Sequence, residues 1–185
     1  MSGGRVGRRP QLGSKWYGHE RGASLVELAF ALPLLIMLLV GMVSAGIAYN
    51  HQLALTHAAR EGGRNAATLP VTNFTTMGDW LDEVLGQVVD DATGTLDPGV
   101  PGRYVCVAYV YPDGFTSLDQ TTRLVLSGDT LGSPESAPCI ADDGRPTTER
   151  RVQVVVRRDT DFNVIFFSST ITLDAEAINR FEAAQ

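Results

Sequence analysis

A long run without charge constrains this chain more than any other feature. From Leu28 to Tyr49, 22 consecutive residues carry no acidic or basic side chain. Wound as a helix, such a run reaches about 33 Å, enough to cross the hydrocarbon core of a bilayer. The mean hydropathy of +0.01 hides this, because the apolar residues are concentrated in one place. With 185 residues, the chain suits one ordinary domain plus an appendage and not a multidomain machine. At 44% hydrophobic residues and two cysteines, it is not a disordered, collagen-like or disulfide-dense polypeptide.

Charge is distributed as unevenly as hydropathy. Residues 1–22 carry a net charge of +4, whereas residues 50–185 carry −9. A basic flank before an apolar helix places the N-terminus in the cytoplasm and the following domain outside. A domain this acidic offers no nucleic-acid face. Arg150–Arg151 and Arg157–Arg158 bracket an expected strand and read as solvated strand ends.

Four segments follow from this pattern: a basic, disordered leader over 1–22, a transmembrane helix over 23–49, a helical extension over 50–69, and an extracytoplasmic domain over 70–185. The extension has no breaker before Pro70. Its small residues Ala58, Ala59, Gly62, Gly63, Ala66 and Ala67 share one helix face and admit a close neighbour. The spacing of Trp80, Leu81, Val84, Leu85, Val88 and Val89 predicts a second, amphipathic helix over 78–91. Strand patterns follow at Arg103–Tyr111, Arg123–Ser127, Arg151–Arg158 and Thr170–Asn179. Their alternation predicts an antiparallel sheet with one face buried, covered by the long helix. Asn163–Phe167 has no clear period and reads as a short helix or loop under the sheet. Residues 128–148 read as one long loop. The fold class expected is α+β.

The string at the membrane boundary, Arg21–Leu28 (RGASLVEL), carries the chemistry. An ordinary secretory signal has its cleavage site after the apolar run. Here Gly22 precedes it, and the lone acid Glu27 sits at the fifth place after Gly22. A carboxylate at the end of a membrane helix costs free energy and needs a partner. Gly22-Ala23, Glu27 and the uninterrupted apolar helix together resemble the class III signal of type IV pilin-like proteins. The longer stretch Glu20–Ala67 resembles the N-terminal region of TadE-like proteins, minor pilins or pseudopilins of tight-adherence (Flp) pilus systems. The features that carry this are Gly22, Glu27, Pro33 in ALP, the Gly41–Gly46 small-residue stretch, Tyr49-Asn50 and Ala58-Ala59-Arg60-Glu61-Gly62.

The resemblance implies a pilin-like fold, a long N-terminal helix packed on a small antiparallel sheet. It implies that a prepilin peptidase cuts between Gly22 and Ala23. The new Ala23 amine then faces Glu27 of a neighbouring subunit, so that two costly charges offset one another only in register. The implied partners are the peptidase, other pilins or pseudopilins, Tad assembly proteins and membrane lipid. Localisation is the cytoplasmic membrane, single-pass, with the C-terminal domain outside.

Other residues have plainer readings beside the functional ones. Pro33 either kinks the helix or is tolerated there. Gly41/Ala45 and Ser44/Ala48 have the small-xxx-small spacing of helix–helix contacts, and Gly46 extends that stretch. Cys106 and Cys139, both in the exported segment, read as one disulfide; two buried thiols are the alternative. A disulfide would close a loop of about 33 residues, worth roughly 3–4 kcal/mol in the chain-entropy model. His51, His57 and Glu61 lack the HExxH arrangement, and the acids of 79–91 lack the spacing of a calcium loop. Asn73-Phe74-Thr75 is a bare sequon. No nucleophile elbow, phosphate loop or dinucleotide fingerprint occurs, so the expectation is a structural component without enzyme activity, cofactor or metal. The rival reading is an uncleaved, signal-anchored binding module outside the membrane.

Overall fold

The computed structural model describes residues 20–92, 94–111, 121–164 and 167–181. Most of the expected leader, residues 1–19, lies outside them. The chain divides into two units, Met1–Leu39 and Val40–Gln185. Helix α1 (Glu20–Thr68) begins in the first and ends in the second. Residues 20–39 of the first unit are entirely helical.

The second unit adds helix α2 (Met77–Asp91) and five strands, β1 (Tyr104–Val110), β2 (Thr122–Ser127), β3 (Thr130–Leu131), β4 (Arg151–Val164) and β5 (Phe167–Arg180). The strands form one antiparallel sheet in the order β3-β2-β1-β4-β5. With the apolar helix and the second helix, this is an α+β, pilin-like architecture. The α2 start is fixed locally. Thr76 Oγ1 accepts from the Asp79 N–H at 3.2 Å, and Asp79 Oδ2 accepts from the Thr76 N–H at 3.0 Å. This reciprocal cap satisfies two end donors before the apolar stripe begins.

That stripe meets the front face of the sheet. Trp80, Leu81, Val84 and Val88 pack with Val105, Val107, Val152, Val154 and Val156, joined by Leu55, Ala58, Ala59 and Ala66 of α1. Trp80 sits edge-on to Tyr109 at 5.8 Å between ring centres, and its indole N–H donates to the Leu69 carbonyl at 3.2 Å. An aromatic of this size buries well only when its polar tip finds an acceptor. Both helices cover this face. Small residues set how near α1 comes. A Cβ on Gly62 would overlap the Val88 side chain, and one on Gly63 the Asn179 side chain.

The sheet corrects three expectations. First, its back face is buried too. Gln153 and Val155, opposite in pleat to Val152 and Val154, are as buried as their neighbours. The cover is the segment between β3 and β4, held there by a Cys106–Cys139 disulfide. Gln153 donates to the Ile140 carbonyl and accepts from the Ile140 N–H, both at 3.0 Å. Second, the expected loop over 128–148 begins with strand β3. A two-residue turn at Gly128-Asp129 supplies it, with Gly128 at φ +58°. Third, Asn163–Phe167 is not a helix or loop under the sheet. Asn163 and Val164 continue β4, and Phe167 opens β5 on the outside, 65% exposed. Ile165 and Phe166 lie outside the described residues.

The buried back face holds one ion pair. The Arg151 guanidinium grips Asp143 with two hydrogen bonds, the Nη2–Oδ1 bond at 3.1 Å, and Gln153 adds a third at 2.7 Å. Both charged side chains are more than nine-tenths buried. Burial pushes the Asp143 carboxyl up. Hydrogen bonds from Arg151, Gln153 and the Arg145 N–H outweigh it and hold the carboxyl below its usual value of 3.8. The stability this gives is therefore complete above the unfolded value and is lost as pH falls through the lower, folded one.

Three variants test this packing by thermal and acid unfolding of the detergent-solubilised chain. Asp143→Asn leaves a buried guanidinium without its counter-ion, costs about 3 kcal/mol at neutral pH, and flattens the acid limb of the stability curve. An unchanged acid limb would mean that Asp143 is not the group that titrates. Gly62→Leu, driven into Val88, lowers Tm at a cost of about 1–3 kcal/mol. Gly86→Ala, on the open face of α2, raises it by up to about 1 kcal/mol.

Candidate membrane and assembly helix

From Leu28 to Leu39 of the first unit, α1 is apolar on every side. Leu25, Val26, Leu28, Phe30 and Leu34 are all more than half exposed, Phe30 at 80%. A helix with no polar face is solvated by lipid and not by water. Among the described residues, α1 is the one helix long and apolar enough to cross a membrane. It supports a membrane-anchored chain.

Glu27 is the single acid between Glu20 and Glu61 and is exposed. Positions 23 and 27 are one helical turn apart and share a face. The Gly22–Ala23 peptide bond lies within the described part of α1. Pro33 withholds an N–H from the Ala29 carbonyl, yet the helix continues through it.

In the second unit, α1 changes character at Ser44. Met42, Val43 and Ile47 remain exposed, while Ser44, Ala48, Gln52 and Leu55 turn toward the domain at spacings of three and four. The Ser44 hydroxyl donates to the Asn163 carbonyl at 2.9 Å. Gln52 Nε2 donates to the Asp174 carbonyl at 2.7 Å. His51 Nδ1 lies 3.5 Å from Thr160 Oγ1. Burial, and then the charge of Arg158, push the His51 imidazole down from its usual value, so it is neutral at pH 7.

The two small-residue pairs therefore part company. Ser44/Ala48 is used within the chain, which corrects the expectation of a contact with another helix at that pair. Gly41 and Gly46 face open space: a Cβ on either meets nothing within 4 Å. Ala45 is exposed beside them. This stretch is available to a second helix. Sequence reasoning missed Gln52 as a contact residue. Its signal was an amide with a long reach, placed where the charge-free run gives way to the extension.

The remaining candidates form no reactive constellation. Among the described residues, no group of three or more His, Cys, Asp and Glu side chains is arranged to hold a metal. His57 is exposed, and Asp79 is occupied as a helix cap. Asn73 of the sequon is exposed. An open cleft of about 270 Å³ lies among Val110, Pro138, Ile140 and Arg151. Among the described residues its one charged group, Arg151, is bound to Asp143.

No curated protein and no solved structure matches the chain at a significant level. A family model does match, over residues 22–64, and its description is TadE-like protein. Its span starts at Gly22, takes in Glu27 and Pro33, and ends within the small-residue face. Over Gly22 to Arg64, helix α1 is similar to the TadE-like family.

Proposed function

We propose that this chain is a minor pilin or pseudopilin of the Tad (Flp) type, made as a membrane-anchored precursor and used in pilus assembly. The observation that carries this reading is where the TadE-like match falls. It opens on Gly22 and contains the one acid of the apolar helix, Glu27. TadE-like proteins are pilus components and not an enzyme family, and this chain is read as a structural subunit.

The proposed sequence of events uses few groups. The basic flank of residues 1–22 keeps the N-terminus in the cytoplasm. A prepilin peptidase takes the Gly22–Ala23 bond, and hydrolysis leaves a free amine on Ala23. Glu27 and that amine are then opposite charges at the end of an apolar helix. Each is costly alone, and each is offset by its counterpart on a neighbouring subunit held in register. The open Gly41–Gly46 face lets another helix approach without losing side-chain volume to a clash. Outside the membrane, the Cys106–Cys139 disulfide suits an oxidising compartment.

Mass spectrometry and N-terminal sequencing test the first step. Chain extracted from membranes that also contain the peptidase should begin at Ala23. The variant Gly22→Ala should accumulate with its leader attached. A mature chain that retains Met1 or Ser2 beside an active peptidase would sink the reading and favour an uncleaved, anchored binding module.

A further inference from the structure

We propose that the end of the β4–β5 ribbon, at the Val164↔Phe167 pair, is a second membrane contact: it lies along α1 at the level of the lipid surface and inserts Phe167 into it. The inference goes beyond the assembly role and rests only on α1 being a membrane helix.

The hairpin is longer than the sheet that carries it. β5 pairs with β4 from Arg151↔Arg180 to Val164↔Phe167, but β1 pairs with β4 only from Arg151 to Arg157. Beyond Arg158 the hairpin continues as a two-stranded ribbon. Two contacts with α1 give its direction. His51 meets Thr160, and Ser44 meets Asn163. Seven residues of helix rise about 10 Å, and three residues of strand advance about 10 Å. The two elements therefore keep pace, and β4 descends α1 toward its apolar part.

Depth follows from the same contacts. Ser44 lies five residues before Tyr49, where the apolar run of α1 gives way to the polar residues Asn50, His51 and Gln52, about 7 Å along the helix axis. Asn163 stands at that level, and the Val164↔Phe167 pair lies farther along the ribbon. Amphipathic elements at a membrane surface sit about 5–10 Å into the headgroup and acyl boundary.

The chemistry of the ribbon changes over the same distance. Asp161 and Asp174 are its last charges, and from Phe162 to Leu173 there are none. Phe167 is 65% exposed and Ile171 36%, in a domain whose other large apolar side chains are mostly buried. In water, that exposure has no return; at a lipid surface, burying a side chain such as Phe is worth about 1.5–3 kcal/mol. Serines and threonines beside it, Ser168, Ser169 and Thr170, match the headgroup layer. The bond from Ser44 to the Asn163 carbonyl supplies a donor on the outer edge of β4, where water is scarce. Lipid is favoured over a second protein because the ribbon that carries the patch contacts the membrane helix at Ser44.

Depth-dependent fluorescence quenching tests this on the full chain. The chain is reconstituted at one copy per nanodisc in phosphatidylcholine and phosphatidylglycerol, with quenchers attached near the headgroup. An environment-sensitive label is placed on Ser168→Cys, on Asp129→Cys at the β2–β3 turn, and on Val43→Cys in the apolar helix. The native disulfide leaves no free thiol to compete among the described residues. Labels at 168 and 43 should be quenched and the label at 129 should not. Adding Phe167→Asp should abolish quenching at 168 and leave that at 43. Quenching at 43 without quenching at 168 overturns the lipid contact while the anchor stands. If it appears at 168 only when several copies share a disc, the ribbon end is a subunit contact and the proposal fails. Loss at both positions overturns the membrane reading itself, and the contact with it.

Discussion

Close approach of α1 to the sheet is the constraint on which the second unit depends. A helix can serve as one wall of a core only if its inward face is small enough for the opposite wall to reach it. Ala58, Ala59, Gly62, Gly63 and Ala66 provide that face, and Val88, Ala177 and Asn179 occupy the space left. Glycine in a helix interior costs about 1 kcal/mol against alanine. Here packing offsets it, because side chains of α2 and β5 stand where a Cβ would be. The same helix changes solvent along its length, from apolar on every side near Phe30 to one-sided after Ser44.

The far side of the sheet is organised by different chemistry. Little apolar surface is available there, so a disulfide and a buried polar cluster do the joining. Cys106 fixes Cys139, Gln153 reads both backbone groups of Ile140, and Arg151 with Asp143 closes the cluster. Buried charges of this kind add little net stability when satisfied and cost several kcal/mol when broken. They act as a lock on one loop position, which suits a domain whose loop would otherwise leave Val155 and Cys106 open to water.

What the residues alone revealed has a clear physical limit. Elements carried by local periodicity were legible: α1 with its end at Thr68, α2 with its stripe and the four longer strands. The boundary residues Gly22 and Glu27 stood out because a glycine before the apolar run and an acid within it are both unusual. The second buried face was not legible. Gln153 and Arg157 read as solvated because nothing local says that a loop some ten residues earlier will fold back over one and not the other. Asn163–Phe167 misled for a related reason. An apolar run with no period usually lies in a core, whereas this one continues a hairpin past its sheet, and only pairing with β5 shows it. Strand β3 was missed because two residues carry no period at all.

Assembly through a matched pair of charges is the central claim, and Glu27 is the residue on which it turns. The direct measurement is incorporation of a charge-neutral, isosteric variant, Glu27→Gln, into pili sheared from cells, compared with the wild-type chain at equal membrane levels. The account predicts that the variant is cut at Ala23, folds its outer domain normally, and is strongly depleted from the assembled fraction. Incorporation equal to wild type would contradict it, because the carboxylate would then have no part in holding subunits in register.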